Sequence, residues 1–146
     1  MAQTGARNDP FFAFRFKILF DGAAAGGFSD CSGLQLETEV QDYAEGGLNC
    51  YMRKFPGRVK QSNIVLKRGV VDRGLWDWYF LIAGGGFLQR DGSILVYDPS
   101  GKNIVMSWNF AAAFPNKWQG PDLNASRGMV AVETLELCHQ GLERLR

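Results

Sequence analysis

The sequence predicts a mainly β fold, a small antiparallel barrel or sandwich of about six to seven strands with one flanking α-helix. Three observations point there. Short runs alternate apolar and polar side chains with a period of two, turn residues separate those runs, and only the window 73–83 carries helical spacing. Without long helices alternating with strands, a parallel sheet is disfavoured.

The first strand follows Pro10. Phe12, Phe14, Phe16, Ile18 and Phe20 share one side while Arg15 and Lys17 take the other, the pattern of a half-buried strand over 11–20. The tract 21–27 (DGAAAGG) offers turn residues and small side chains but no anchor, so a flexible connection is expected. A second strand region runs over 28–40, interrupted at Ser32-Gly33 by what reads as a bulge. Its later part sets Leu34, Leu36, Thr38 and Val40 against Gln35, Glu37, Glu39 and Gln41, one apolar face and one polar face that must meet water or a partner.

Periodicity lapses over 42–57, where 45–49 (EGGLN) and 55–57 (FPG) read as turns. A loop of that length is uncommon in a compact domain unless it has a function. Strand character returns over 59–67, with Ile64 and Leu66 inward. Asp72 is placed to cap a helix over 73–83, on which Leu75, Trp76, Tyr79, Phe80 and Ile82 recur at helical spacing, and Gly84 ends it. Residues 89–98 and 103–111 form a hairpin about the turn 98–101 (DPSG). The prolines and glycine of 114–121 predict a connector, and 129–139 is the last strand.

A chain of 146 residues suits one domain, read as 1–146 with residues 1–10 as an N-terminal arm. With 46% hydrophobic and 21% charged residues it has an ordinary globular composition. Its net charge of +1 is too small for the basic field of nonspecific nucleic-acid binding, and leaves little repulsion between copies. No leader-like apolar run follows the N-terminal charge, and the apolar stretch near 78–88 is broken by Gly84-Gly85-Gly86 short of a membrane span.

Chemistry is scarce. Cys31, Cys50 and Cys138 form neither a disulfide framework nor a metal-ligand spacing, and reduced thiols are expected. The single histidine, His139, lies beside Cys138 on a strand, where neighbours face opposite ways, so the two cannot pair; an exposed or interfacial histidine is expected. His139 with Cys31 or Cys50 has no nucleophile signature. Gly84-Gly85-Gly86 follows a helix instead of opening one, so it cannot cradle phosphate. Glu37, Glu39, Glu133 and Glu136 read as solvated faces or intersubunit contacts, and the aromatic and basic pairs around Arg15, Lys17 and Lys117-Trp118 as core beside charge, not a single-strand platform. No catalytic, cofactor or metal site is expected.

The punctuation in order is more specific. Asp9-Pro10 precedes the phenylalanine strand, and Gly27-Phe28 leads to 31–34 (CSGL). Tyr43 stands before 45–49 (EGGLN), followed by 55–57 (FPG), 64–69 (IVLKRG) and 75–78 (LWDW). Then come 90–92 (RDG), 98–101, Trp108, 110–115, Lys117-Trp118, 133–137 and 139–142 (HQGL). This order, over nearly the whole chain, resembles the tail tube proteins of contractile phages, including tube subunits of phage-tail-like particles and extracellular contractile injection systems, and is similar to the type VI secretion tube protein.

The resemblance implies a structural subunit without catalytic residues, forming six-membered rings that stack into a hollow conduit for DNA or effector cargo. It implies sheath, baseplate, spike and tube-terminating proteins as partners, assembly in the cytoplasm, and membership of a tail or injection particle that is in some cases released. It also makes 42–58 an extended loop reaching an adjacent ring, with Tyr43, Glu45, Gly46, Gly47, Leu48, Asn49, Tyr51, Met52, Phe55 and Pro56 as contact residues. A monomeric small-barrel module binding a ligand or protein is the alternative.

Overall fold

The computed structural model describes residues 15–24, 27–44, 46, 52–126, 128 and 131–145. Its strands are β1 (Arg15–Phe20), β2 (Ala23–Ala24), β3 (Gly27–Ser32), β4 (Leu36–Tyr43), β5 (Arg53–Gln61) and β6 (Ile64–Val70); helix α1 (Arg73–Ala83) follows, then β7 (Arg90–Tyr97), β8 (Ile104–Gln119), β9 (Glu133–Cys138) and β10 (Gly141–Arg144). All pairings are antiparallel. The main sheet runs β2-β1-β7-β8-β9-β6-β3, with β10 also on β8, while β4 and β5, among the described residues, pair only with each other. The expected mainly β architecture with one flanking helix is what the described residues form.

The alternation in β1 is realised as read: Ile18 and Phe20 are buried and Arg15 and Lys17 face out. The core joins them to Ile64, Leu66, Leu75, Trp78, Ile94, Phe110, Leu135 and Leu137. Phe20 meets both Trp78 and Phe110 edge-on, with ring centroids 5.1 and 5.8 Å apart. Such contacts add to the roughly 1.5–3 kcal/mol that burying each large side chain contributes. The Asp72 carboxylate caps α1 by accepting the Leu75 N–H at 2.8 Å, and Gly84 closes it with its own N–H on Phe80 O. The Trp78 indole donates to Leu88 O at 2.8 Å, so the glycine run after the helix is folded back onto it.

Four sequence expectations change. The tract after β1 is not a free connection: Asp21 and Gly22, at φ 50° and 82°, make a two-residue hairpin turn that returns Ala23 and Ala24 onto Phe20 and Leu19. The segment 28–40 is two strands in different sheets, since Gly33 at φ 87° turns the chain out of β3 before β4 starts; likewise 59–67 divides at Ser62-Asn63. The supposed connector 114–121 is strand as far as Gln119. There β8 is the edge of the second half of the sheet, and its outer side needs no donor from Pro115. Finally, β10 is an extra strand, and β9 starts at Glu133.

β8 is long enough to serve both halves of the fold. Its first part pairs with β7 and β10, and Phe114 to Gln119 pair with β9. Between them the strand bends at Ala112, φ 51°, where β9 also breaks at His139-Gln140 before resuming as β10. A cleft lined by Phe16, Cys31, Leu34, Ile94, Val96 and Trp108 separates β1 from β3, whose far edge is unpaired among the described residues.

Candidate functional site

The two ends of the segment read as an aperiodic loop belong to the arms of a hairpin. β4 runs to Tyr43 and β5 starts at Arg53, so only 44–52 connects them. Between Thr38 and Val40 the register slips by one residue, with the extra residue on β5 beside Gly57. A Cβ on Gly57 would lie 3.1 Å from Glu39 O, which suits a bulge that brings the strands close.

Cross-strand pairs share a face. One face carries Leu36, Thr38 and Val40 of β4 with Val59 and Pro56 of β5, flanked by Gln61 at the root and by Asp42 and Lys54 toward the tip, and the other carries Glu37, Glu39, Gln41 and Tyr43 with Lys60, Phe55 and Arg53. On the polar face Lys60 Nζ stands 2.7 Å from Glu39, which holds its ammonium above the usual lysine range. Toward the tip Tyr43 and Phe55 meet edge-on at 6.2 Å, 68° between planes. The apolar face is uncovered: Leu36, Val40 and Val59 are 49, 62 and 50% exposed. A pair of strands alone in water is marginal, and one with an open apolar stripe calls for a partner.

Of the residues expected to make contacts, Tyr43, Phe55 and Pro56 lie on these strands, Met52 stands exposed just before β5, and Gly46 is a turn residue at the tip. Glu45, Gly47, Leu48, Asn49 and Tyr51 lie outside the described residues, as does Cys50. Leu36, Val40 and Val59, outside the contact residues expected from the sequence, are further apolar side chains that the hairpin leaves exposed. Their alternation was visible, but it reads identically whether the apolar face meets the protein's own core or another molecule.

The root of the hairpin is built from two backbone bonds and one side-chain bond. Ser62 N donates to Gln35 O at 3.2 Å, Gln35 N to Gly33 O at 2.8 Å, and Gln61 Nε2 to Gln140 O at 3.4 Å. His139 is buried there, 7% exposed, contrary to the exposed or interfacial position expected. Its strand ends at a corner, so the side chain turns into the space behind the hairpin.

Reactive groups are sparse among the described residues. Burial pushes the Cys31 thiol up to about 11, away from thiolate chemistry, and no group of three or more metal-ligating side chains occurs among the described residues. No described helix is long and apolar enough to cross a membrane. A second apolar area surrounds the end of α1, where Phe80, Leu81 and Phe87 are exposed.

Comparison with known proteins gives these surfaces a context. Residues 12–143 match the family model of the T4-like virus tail tube protein gp19. The fold is similar to a chain of the sheath-tube complex of an extracellular contractile injection system, PVC, in its extended state, at 26% identity and TM-score 0.82, covering 94% of this chain and 93% of that one. It is also similar to a chain of the PVC sheath/tube terminator, at 26% identity and TM-score 0.84 with 97% and 100% coverage, and to one from the tube-terminating cap of the anti-feeding prophage, at 25% and 0.80 with 99% of both. Hcp1 from Flavobacterium johnsoniae shares the fold at 12% identity, TM-score 0.52, with 88% and 93% coverage. No curated protein matches the chain.

Proposed function

The chain belongs to the T4-like virus tail tube protein family, and we propose that it is the repeating subunit of the inner tube of a contractile tail or injection system. Copies close into six-membered rings that stack as a conduit for DNA or effector cargo, driven by contraction of a surrounding sheath. Baseplate and terminator proteins bound its two ends, the role suggested by neighbours solved in sheath-tube, terminator and baseplate assemblies. Assembly takes place in the cytoplasm, and the function is structural, without catalysis.

The observation that carries this reading is the β4–β5 hairpin. Among the described residues its strands pair with no other strand and its apolar face is open, which supports a stabilising partner in another molecule. In a stack of identical rings that partner is the adjacent ring, and the contact is between two different patches of the same chain. Within a ring, the unpaired edge of β3 and the cleft beside β1 offer the place for lateral contact, which would remove an exposed edge.

Electron microscopy of the purified chain, alone and with sheath and baseplate proteins, tests the proposal: rings or tubes are expected, and a strictly monomeric species at high concentration that never stacks counts against it. Removing residues 45–55 is expected to leave a folded subunit that cannot stack. Replacing Val40 and Val59 together by aspartate gives the same result without shortening the chain; normal tubes from both variants would show that the hairpin is not the inter-ring element.

A further inference from the structure

Three chain crossings meet at the root of the hairpin. The chain leaves β5 for β6 at Ser62-Asn63, leaves β9 for β10 at His139-Gln140, and bends within β8 at Ala111-Ala112. His139 touches two of them: Nε2 lies 2.9 Å from Ser62 O and Nδ1 lies 3.1 Å from Gly141 O. Gln140 N donates to Ala111 O at 2.9 Å, which ties in the third. Asn63 Nδ2 donates to Glu136 Oε1 at 2.8 Å, a second tether from the same junction to β9. The imidazole also packs 6.3 Å from the Phe110 ring, so one side of this junction is core.

We propose that His139 is the positioning residue of the β4–β5 hairpin, holding its root to the β9–β10 corner so that the arm leaves the body at one fixed angle. Among the described residues, His139 is the buried side chain of the body that meets the backbone of the root, Nε2 to Ser62 O at 2.9 Å, whereas Gln61 to Gln140 is longer and exposed. Both strands of the arm reach the body within a few residues of this point, through Gln35 and Ser62, which are bonded to each other. A small change of angle there is magnified along eight- and nine-residue strands. Preorganising the arm lowers the ordering entropy lost on contact with a neighbour. The proposal rests on the reading of the arm as a contact element only for its consequence in assembly; the geometry of the arm is measurable by itself.

Because His139 is the only histidine in the sequence, the imidazole of the intact chain can be observed without ambiguity by nitrogen NMR of histidine-labelled protein. Both nitrogens face a carbonyl oxygen and a neutral ring carries one proton, so the proposal requires that proton on Nε2, protected from exchange, and leaves Gly141 O without a donor from Nδ1. A ring protonated on Nδ1 alone would overturn the proposal, since Ser62 O would then face no donor.

Spin labels at Lys54→Cys on the arm and Ala83→Cys at the end of α1 report the angle directly, with the three native cysteines replaced and unlabelled subunits in excess. His139→Phe, which keeps a ring against Phe110 but has no nitrogen, is expected at least to double the width of the distance distribution while cooperative melting is retained. An unchanged distribution in the folded variant sinks the proposal. A broadened arm in a variant that still stacks normally leaves the positioning role standing and removes the arm from the inter-ring contact.

Discussion

The carboxylate of Asp91 accepts the backbone N–H of Ala112 at 2.9 Å, at the point where β8 bends with φ 51°. The bend takes that N–H off the sheet ladder, and Asp91, across on β7, replaces the lost acceptor. Asp91→Ala is expected to cost about 1 kcal/mol in urea unfolding, the net worth of one such bond. Asp91→Asn, whose amide oxygen can still accept, should recover most of it. Equal losses in both variants would mean that the bend does not depend on this bond.

Asp98 organises the β7–β8 turn. It accepts from the Ser100 hydroxyl at 2.6 Å and from Lys102 N and Asn103, and these bonds, Ser100 first, hold its carboxyl at about 2. A depressed carboxyl favours the folded state above the ordinary aspartate value of about 4, and that contribution disappears as pH falls through about 2. Melting temperatures of wild type and Asp98→Ala should therefore differ at pH 6, with the gap narrowing below pH 4 and closing only at about pH 2. A constant gap across that range would contradict the assignment.

Cys31 has the opposite sign. Its thiol is raised by burial from 9.0 to about 11, so the folded chain holds a proton that the unfolded chain releases first. Stability contributed by the neutral thiol is complete below pH 9 and declines as pH rises toward 11. Iodoacetamide at pH 8 should leave Cys31 unmodified in native protein and label it after denaturation, as read by peptide mass spectrometry. Rapid native labelling would show the site to be open.

Gly33 and Gly22 separate backbone strain from crowding. Both have positive φ, 87° and 82°, but a Cβ on Gly33 would lie 1.9 Å from Asn63 O whereas one on Gly22 meets nothing within 4 Å. Gly22→Ala should cost on the order of 1 kcal/mol, from conformation alone. Gly33→Ala should cost on the order of 3 kcal/mol, because the backbone at the hairpin root must also move. Similar thermal shifts for the two would refute the crowding argument.

The sequence was most readable where one local rule operated alone. The alternation of Phe16, Ile18 and Phe20, the Asp72 cap and Gly84 stop of α1, and the turn at Asp98 all lie within a few residues of the structure they determine. It was misleading where a local signal is overruled by position in the sheet. Pro115 marks a break unless the strand is an edge, and edge status is set by β9 and β10, which come later in the chain. Over 42–57 the arm loses its alternation to a bulge near Gly57, so two strands looked like a loop. His139 was misplaced because its partners, Ser62 and Gly141, are defined by the meeting of three crossings. The ordered motifs pointed to the tube family, and the structure gives several of them physical causes, Asp91 at the bend and Gly33 at the root among them.

Pro56 and Pro115 each sit inside a strand with an unpaired flank, and each deletes one amide donor from its strand. An identical molecule sliding alongside in an arbitrary register would face interrupted rungs and, near both prolines, a shifted bulge. Fibre-like stacking is thereby discouraged at the very flanks where a nearly neutral protein is most vulnerable.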